Sequence, residues 1–195
     1  MRGLTLKLAR AGLVQFGRFE RPDGAVWPVM VNLLWLPSYP ALLRDVAAAL
    51  VPLMKGIAAD RLLTTVDALP IGVALSLRAD VPLVYPYGEI RDYTAAFAIE
   101  GAYDVGHPTL LLSDVLIDAQ HANQITALAR KVGLEVRGVL AVVDLGLGAR
   151  EELKGAGYAV RCVLRLDEML PVLAEAGVLP PRMRETVKAW LAGVS

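Results

Sequence analysis

Residues 109–164 read TLLLSDVLIDAQHANQITALARKVGLEVRGVLAVVDLGLGAREELKGAGYAVRCVL, and this stretch decides the fold. It contains three short apolar runs that are rich in strand-forming residues, and two segments of helical character separate them. The apolar runs are 109–113, 136–144 and 158–164, and the helical segments are 122–132 and 151–156. Strands that alternate with helices predict a mostly parallel sheet covered by helices on both faces.

The same alternation extends towards both ends of the chain. Residues 16–35 alternate loosely and carry the turn signal PDG at 22–24, which predicts a hairpin outside the main sheet. The additional predicted strands are 62–66 and 82–87, and the additional predicted helices are 4–14, 40–58, 69–78, 166–177 and 181–192. We therefore predict a single α/β domain over residues 1–195, with a small N-terminal hood at 1–36.

Composition and charge limit the classes of protein to which the chain can belong. Of its 195 residues, 55% are hydrophobic, so the chain can bury a core. Its 20 Lys and Arg balance 20 Asp and Glu, which argues against a nucleic-acid binder. The single cysteine, Cys162, excludes an internal disulfide and is typical of a cytoplasmic protein. We expect neither a secretory signal nor a membrane span, because the longest uncharged run, 25–43, contains three prolines.

Three acidic side chains stand at or near the ends of apolar runs, where parallel sheets bind their ligands. They are Asp67, Asp114 and Asp144, and each could hold a ligand or simply cap the next turn or helix. With two histidines and one cysteine in the chain, we expect no zinc site. A Mg²⁺ ion bound mainly by a ligand's phosphates, with Asp114 as the helping carboxylate, stays open.

Several stretches resemble the orotate phosphoribosyltransferase family in their order and spacing. They are FGRF at 16–19, PSYP at 37–40, ALPI at 68–71, YPYGEIRDYTAAFAIEG at 85–101 and LDEMLPVL at 166–173. The IEG triplet at 99–101 also stands at the family's distance from Asp114. The resemblance covers nearly the whole chain. It implies a type I phosphoribosyltransferase fold, with a central mostly parallel sheet, helices on both faces and the N-terminal hood.

The family's motif for phosphoribosyl pyrophosphate (PRPP) is eroded in this chain. In the family, two acids follow an apolar strand, and a turn rich in Thr and Gly wraps the 5′-phosphate. Here the first acid is Ser113, whereas the second survives as Asp114. The turn reads IDAQH at 117–121, so its hydroxyls and glycines are gone and a carboxylate stands where the phosphate would be repelled. The resemblance assigns substrate contacts in this turn to Asp118, Ala119, Gln120 and His121.

Neutral residues also replace most of the cations that the resemblance leads one to expect. The two basic residues of the family's catalytic loop are Tyr87 and Gly88 here, and only Arg91 keeps a charge there. The family's N-terminal lysine aligns with Pro22, the arginine of its DLR segment with Leu34, and the orotate-binding arginine after Asp144 with Leu145. Charge-assisted hydrogen bonds contribute roughly 1.5–3 kcal/mol each, so these losses would weaken PRPP and orotate binding by several kcal/mol.

We therefore predict an orotate phosphoribosyltransferase-like protein whose PRPP-dependent transfer is lost or strongly reduced. Such a pseudoenzyme would bind a small molecule in its cleft or act as a partner protein, and the resemblance implies a homodimer. We expect the cleft to be apolar and lined by Leu34, Trp35, Tyr85, Tyr87, Leu116 and Leu145.

Two alternatives remain open. The first is an active glycosyltransferase of pyrimidine and nucleotide metabolism with an altered substrate. In that case Asp114 would hold the ribose, Arg91 and Mg²⁺ would face the pyrophosphate, and Asp67 would lie at the pyrophosphate loop. The second is a different reaction at a polar cluster of Asp114, Asp118 and His121, whose spacing puts them on one side of the segment if it is helical. The same spacing equally suits a capped start of the helix.

Overall fold

The computed structural model of the protein describes residues 1–87 and 99–193. The strands are β1 (Val14–Glu20), β2 (Val26–Val31), β3 (Arg61–Thr64), β4 (Leu83–Pro86), β5 (Ile99–Glu100), β6 (Pro108–Leu116), β7 (Glu135–Asp144) and β8 (Ala159–Arg165). The helices are α1 (Arg2–Arg10), α2 (Pro40–Leu50), α3 (Leu69–Ala79), α4 (Gln120–Lys131), α5 (Ala149–Gly155), α6 (Leu166–Glu175) and α7 (Pro181–Gly193). Two short 3₁₀ segments cover Leu36–Ser38 and Val51–Met54.

Six of these strands form the main sheet in the order β5-β4-β3-β6-β7-β8, and β1 and β2 form a separate hairpin. Neighbours from β4 through β8 pair in parallel, whereas β5 pairs with β4 in antiparallel fashion. The central strands can be continuously apolar because helices cover both of their faces. This arrangement confirms the predicted mostly parallel α/β sheet and the predicted hairpin.

Successive residues of the central strands point into two different cores, as the alternation of side chains along a strand requires. Along β6, Leu110 and Leu112 belong to the larger core, which also contains residues of α1, α2, α3, α6 and α7. Leu111 belongs to the smaller core, which contains residues of α4 and α5. The hood packs against the larger core, and its Trp27 ring lies 5.1 Å from the Trp190 ring of α7, measured between centroids.

Helix α3 approaches β3 so closely that a glycine is needed between them. A Cβ atom on Gly72 would lie 2.2 Å from the Cγ2 atom of Thr64, whose side chain is fully buried. This contact fixes the start of α3, and with it the loop at 65–68, against the carboxyl edge of the sheet.

The helix predicted over 4–14 ends at Arg10, and Val14 already begins β1. Two further predicted boundaries are wrong, for identifiable reasons. Strand β6 does not end before Asp114 but continues to Leu116, because its pairing with β7 extends to the partners Leu116 and Asp144. The helix predicted over 40–58 ends at Leu50, and Pro52, which has no N–H to donate, lies in the 3₁₀ segment that follows. Within the described ranges, no helix is long and apolar enough to cross a membrane.

Candidate functional site

A cavity of about 170 Å³ lies between the hood and the carboxyl ends of β6 and β7. The hood contributes Phe19, Glu20, Arg21, Pro22, Trp27, Val29, Met30 and Val31, and the sheet edge contributes Val115, Ile117 and Leu145. The sheet side of this lining is entirely apolar. Because ligands of parallel sheets bind outside the carboxyl ends of the strands, this hood cavity is the first candidate site.

Leu145 forms part of the cavity wall and is fixed firmly in place. Its side chain is 3% exposed, and its backbone N–H donates a 3.0 Å hydrogen bond to the carbonyl of Leu116. The resemblance places the family's orotate-binding arginine at this position. The wall of the hood cavity that follows β7 is therefore a neutral, well-packed leucine.

Arg21 supplies a cation to the hood cavity, and sequence reasoning missed it. Its guanidinium carbon lies 4.3 Å from the ring centroid of Trp27, which is within the range of a cation–π interaction. Its Nε atom is buried and has no hydrogen-bond partner in the described part of the chain. The signal in the sequence was a basic residue directly before the PDG turn, one position ahead of Pro22, where the family's lysine aligns.

The other charged residue of the lining, Glu20, is paired elsewhere. Its carboxylate lies 3.5 Å from the guanidinium of Arg18, and both side chains are largely exposed. The turn itself is closed by the main chain of Arg21, whose N–H donates to the carbonyl of Ala25 and whose carbonyl accepts from Gly24. Arg21 is thus held at the cavity by its backbone, while the nearest acid along the chain has a different partner.

The turn between β6 and α4 is closed by a carboxylate of its own. Oδ1 of Asp118 accepts a 2.9 Å hydrogen bond from the backbone N–H of Gln120, the first residue of α4. Ala119, between them, is buried. Helix N-termini attract anions because their first N–H groups lack partners within the helix. Here the carboxylate of Asp118 is already engaged in the turn before the helix, although the N-cap residue of α4 is Ala119.

Asp114 lies within β6, one residue before Val115, and is half-buried. Burial raises the pKa of its carboxyl above the usual value, although the backbone N–H groups of Val115 and of Asp114 itself lower it. The neighbouring carboxylate of Asp67 raises the pKa further, whereas His121 lowers it. Because Asp67 and His121 both affect this pKa, both side chains lie near Asp114. Asp114 is in a strand and Asp118 lies in the turn before α4, so the cluster does not follow the helical spacing considered from the sequence.

The loop between β7 and α5 is closed in the same way as the turn before α4. Asp144 is 2% exposed, and its Oδ1 accepts a 2.8 Å hydrogen bond from the N–H of Gly146. Gly146 and Gly148 have φ angles of +77° and +93°, in the left-handed region where a glycine is at no disadvantage. Asp144 therefore closes a turn, which is one of the two roles, ligand binding or capping, that the sequence left open for it.

The loop between β3 and α3 combines an exposed acid with two buried hydroxyls. Asp67 is exposed, whereas Thr64 and Thr65 are 0% and 1% exposed. The Oγ1 atoms of both threonines have no hydrogen-bond partner within the described residues. The backbone N–H of Thr65 donates to the carbonyl of Leu112 on β6, so the loop leaves the sheet in a fixed direction.

The structure does not bring the predicted apolar cleft residues together. Of that set, Leu145 lines the hood cavity, but Leu116 is buried in the smaller core on the opposite face of the sheet. Leu34, Trp35 and Tyr87 are more than half exposed and are absent from the lining. The prediction of one shared cleft was wrong because the strand end was misplaced, and side-chain direction depends on it.

The residues predicted in the phosphate turn also lie apart from the hood cavity. Asp118, Ala119 and Gln120 line a shallow depression beside Asn123 and Glu152, whose side chains share a 3.1 Å hydrogen bond. The catalytic-loop residue Arg91, like the rest of 88–98, lies outside the described residues. Of the predicted substrate contacts, Leu145 lines the hood cavity and Asp118, Ala119 and Gln120 line this outer depression. The others, Asp67, Tyr87, Asp114, His121 and Asp144, line neither.

The described residues do not build a metal cage. No group of three or more His, Cys, Asp or Glu side chains among residues 1–87 and 99–193 could hold a metal ion. Asp67 and Asp114 are two neighbouring carboxylates, and Mg²⁺ bound mainly by a pyrophosphate needs little more than such help. Their arrangement fits an ion that arrives with its ligand and does not fit a resident one.

Comparison with models of known protein families gives no match. Individual relatives do match. The chain is 30% identical over 168 residues to an orotate phosphoribosyltransferase from Natronomonas pharaonis, covering 84% of this chain and 93% of the relative. It is 27% identical over 175 residues to a bifunctional PyrF/PyrE enzyme from a Nostoc species, covering 89% of this chain and 37% of the relative.

Solved structures agree with these relatives. A UMP synthase structure from Leishmania donovani matches with a TM-score of 0.90 and 30% identity, over 98% of this chain and 42% of that one. An orotate phosphoribosyltransferase from Aeropyrum pernix matches with a TM-score of 0.78 and 23% identity, over 88% of this chain and 98% of that one, which bears on the fold alone. The chain spans little more than a third of two curated relatives, at 37% of the length of the PyrF/PyrE enzyme and 38% of the length of a uridine 5'-monophosphate synthase from Bos taurus.

Proposed function

Since this chain belongs to the orotate phosphoribosyltransferase family, we propose that it binds a small planar ligand in the hood cavity and that its PRPP-dependent transfer is lost or strongly reduced. Membership of the family follows from the relative that is 30% identical to this chain and is covered over 93% of its length. The loss of transfer is our own inference from the charges at the carboxyl edge of the sheet.

The observation that carries this proposal is the hydrogen bond from the Gln120 N–H to Asp118. A 5′-phosphate in this turn would have to take the same N–H group and would lie a few ångströms from the carboxylate. Two like unit charges 4 Å apart repel each other by about 1 kcal/mol in water and about 4 kcal/mol near a protein surface. That repulsion offsets one or two charge-assisted hydrogen bonds to the phosphate.

The charges around this turn add to the same effect. Asp67 and Asp114 interact with each other near the carboxyl edge, and burial already makes ionisation of Asp114 costly. No lysine occurs anywhere between Lys55 and Lys131, the part of the chain that holds β3 to β6. Transfer from PRPP requires positive groups that stabilise the departing pyrophosphate. An acidic edge without lysines works against both the binding of PRPP and the reaction.

Calorimetric titration of PRPP with Mg²⁺, at physiological salt, tests the proposal. An active orotate phosphoribosyltransferase titrated in parallel is the control for ligand quality. We expect no heat from this protein at millimolar PRPP and no consumption of orotate when both substrates are present. Micromolar PRPP binding, or orotate consumption that depends on PRPP, would instead support the alternative of an active transferase with an altered substrate.

We further propose that the protein forms a homodimer through the outer face of α3. Val73 and Leu77 lie four residues apart on one face of this helix and are 45% and 81% exposed. Val66, in the loop before the helix, is 55% exposed. Exposed apolar side chains grouped in this way are typical of protein interfaces. Sedimentation velocity of wild type and of Leu77→Glu should show a dimer and a monomer, respectively, whereas Val105→Glu, on a side chain that lies against Gly133, should stay dimeric.

A further inference from the structure

A groove of about 450 Å³ lies between the hood hairpin and the C-terminal helix α7. The hairpin contributes Arg18, Trp27 and Pro28 to it, and α7 contributes Met183, Thr186 and Trp190. Of the residues that line this α7 groove, only Trp27 also lines the hood cavity. The α7 groove is therefore a separate surface feature, on the side of the hood that faces the C-terminal helix.

The composition of the α7 groove is typical of a protein interface. Trp, Met and Arg are enriched in protein interfaces, whereas Lys, Glu, Asp, Ser and Ala are depleted. Two Trp, one Met and one Arg line the groove, and no lining residue in the described part of the chain is of a depleted type. Both Trp side chains are only partly buried, so their apolar surface is available to a partner.

The two Trp rings form a preorganised anchor site. Their centroids lie 5.1 Å apart with the ring planes tilted by 51°, and both side chains pack against the larger core. The guanidinium of Arg21 further holds the Trp27 ring, at 4.3 Å from its centroid. Side chains that are already ordered lose little freedom when a partner binds. Since a cavity of about 150 Å³ holds a benzene ring, the groove has room for two large apolar side chains.

A bulge in the hairpin places one positive charge at this anchor site. The register between β1 and β2 shifts between Phe16 and Phe19, so Gly17 and Arg18 stand opposite the single residue Pro28. Proline has no N–H to donate to the ladder, and bulges of this kind redirect a side chain. Arg18 is the one charged residue of the groove lining within the described ranges.

The surroundings of Arg18 leave it free to bind an acidic group. Its partner Glu20 lies 3.5 Å away, outside the groove lining, and the two side chains are 75% and 73% exposed. Exposed pairs of this kind are weak, so a carboxylate of a partner can replace Glu20. Helix α7 adds three basic residues, Arg182, Arg184 and Lys188, against one acidic residue, Glu185. The field at the groove therefore favours a negatively charged partner.

We infer that the α7 groove docks a partner protein through a segment that carries a bulky apolar side chain next to an acidic one. The apolar side chain would pack on Trp27 and Trp190, and the acidic one would pair with Arg18. This inference is independent of the ligand proposed for the hood cavity.

Random dodecapeptides displayed on phage are the probe. They are selected on the full-length wild type and counter-selected on Thr186→Tyr, which fills the groove at an exposed position without adding charge. We expect the enriched peptides to carry Asp or Glu beside a bulky apolar residue. In calorimetric titrations with these peptides, affinity should fall about 10-fold or more in Thr186→Tyr and about 3- to 10-fold in Arg18→Gln.

Two matched controls accompany these variants. Ala189→Tyr adds the same bulk to α7 at an exposed position outside the groove lining. Arg137→Gln removes an exposed arginine that pairs, like Arg18, with a glutamate two residues away. Both should bind the peptides as wild type does, and Thr186→Tyr should keep the sedimentation coefficient of wild type.

Four outcomes would overturn the inference. The first is that no peptide is enriched on wild type over Thr186→Tyr. The second is that the enriched peptides lack acidic residues or bind Arg18→Gln as tightly as wild type. The third is an equal loss of affinity in either control variant. The fourth is a change of oligomeric state in Thr186→Tyr, which would mean that a second copy of this chain covers the groove.

Discussion

The hood side of the cleft holds an arginine whose buried Nε–H has no hydrogen-bond partner among residues 1–87 and 99–193, whereas two carboxylates on the sheet side accept hydrogen bonds from the backbone. On the hood side, the Nε–H of Arg21 has no acceptor among the described residues and faces apolar walls. On the sheet side, Asp118 and Asp144 each accept an N–H from two residues further along the chain. Both sides lie along the carboxyl edge of one sheet. The charge of Arg21 attracts an anionic ligand, whereas the carboxylates of the sheet side repel one.

This difference separates what the fold keeps from what the site has lost. A turn closed by its own carboxylate needs no ligand and repels an anionic one, so the sheet side is stable without PRPP. An unpartnered buried donor is stabilised only when something binds. The fold therefore needs no anion at its sheet side, where Asp118 and Asp144 close their own turns. At the hood side, the Nε–H of Arg21 still lacks an acceptor among the described residues.

The largest expected effect comes from the leucine at the boundary of the two sides. Leu145→Ala removes three buried carbons from a side chain that is 3% exposed, and such changes typically cost about 2–5 kcal/mol of unfolding free energy. The variant should also bind rings larger than a pyrimidine, because the cavity wall recedes. Urea unfolding measures the first effect, and titration with bicyclic and monocyclic carboxylates measures the second.

Leu116→Ala is the matched control for that experiment. Leu116 is 2% exposed but belongs to the smaller core, on the other face of the sheet from Leu145. We expect a comparable loss of stability and no change in the size of ligand that binds. If both variants changed ligand size alike, the hood cavity would not be the binding site and the comparison of the two sides would fail.

The sequence predicted the sheet well because the information is local. Apolar runs with strand formers located β6, β7 and β8 to within a few residues, and the alternation of strands and helices predicted their parallel arrangement. The end of β6 was missed because it is set by pairing with β7, a partner distant in sequence. Because side chains alternate along a strand, an error of a few residues placed Leu116 in the same predicted cleft as Leu145.

Arg21 could not be assigned from the sequence for a related reason. Its position depends on a hairpin turn that brings it over Trp27, and its Nε–H has no acceptor among residues 1–87 and 99–193. Both are properties of the folded chain. That Asp118 closes a turn was one of two alternatives in the sequence. Only the geometry of the Gln120 N–H decides between them.

A smaller effect should follow from removing the charge that seals the turn before α4. Asp118→Asn keeps an oxygen that can accept the Gln120 N–H but loses the negative charge. The affinity for PRPP or inorganic phosphate should rise several-fold, because about 1 kcal/mol of repulsion is removed at this exposed site. Stability should change little, whereas Asp118→Ala should lose about 0.5–1.5 kcal/mol with the hydrogen bond that closes the turn.

The two Asp118 variants separate the repulsion of an anion by this carboxylate from its hydrogen bond to the Gln120 N–H. Phosphate binding by equilibrium dialysis and unfolding in urea are measured on both. If Asp118→Asn bound phosphate no better than wild type, repulsion by this carboxylate would not be what excludes the anion. Weak PRPP binding at the sheet side, as proposed, would then have to come from the missing cations alone.

The smallest effect concerns the pH dependence contributed by Asp114. Burial raises its pKa in the folded protein above the usual 3.8, so the folded state holds the proton more tightly than the unfolded chain does. The stabilisation from this group is therefore complete below pH 3.8 and is lost as the pH rises through the folded-state pKa. Asp114→Asn has no such titration, so its unfolding free energy relative to wild type should grow across that range and then level off. Urea unfolding from about pH 4 to about pH 8 measures this difference.

A second variant tests the contribution of the neighbouring carboxylate. Asp67→Asn should reduce the pH dependence of wild-type stability without abolishing it, because Asp67 raises the pKa of Asp114 less than burial does. A difference between Asp114→Asn and wild type that is independent of pH would mean that the N–H groups of Val115 and Asp114 balance the effect of burial on this pKa. The sheet side would then tolerate a negative charge at Asp114 better than its burial suggests.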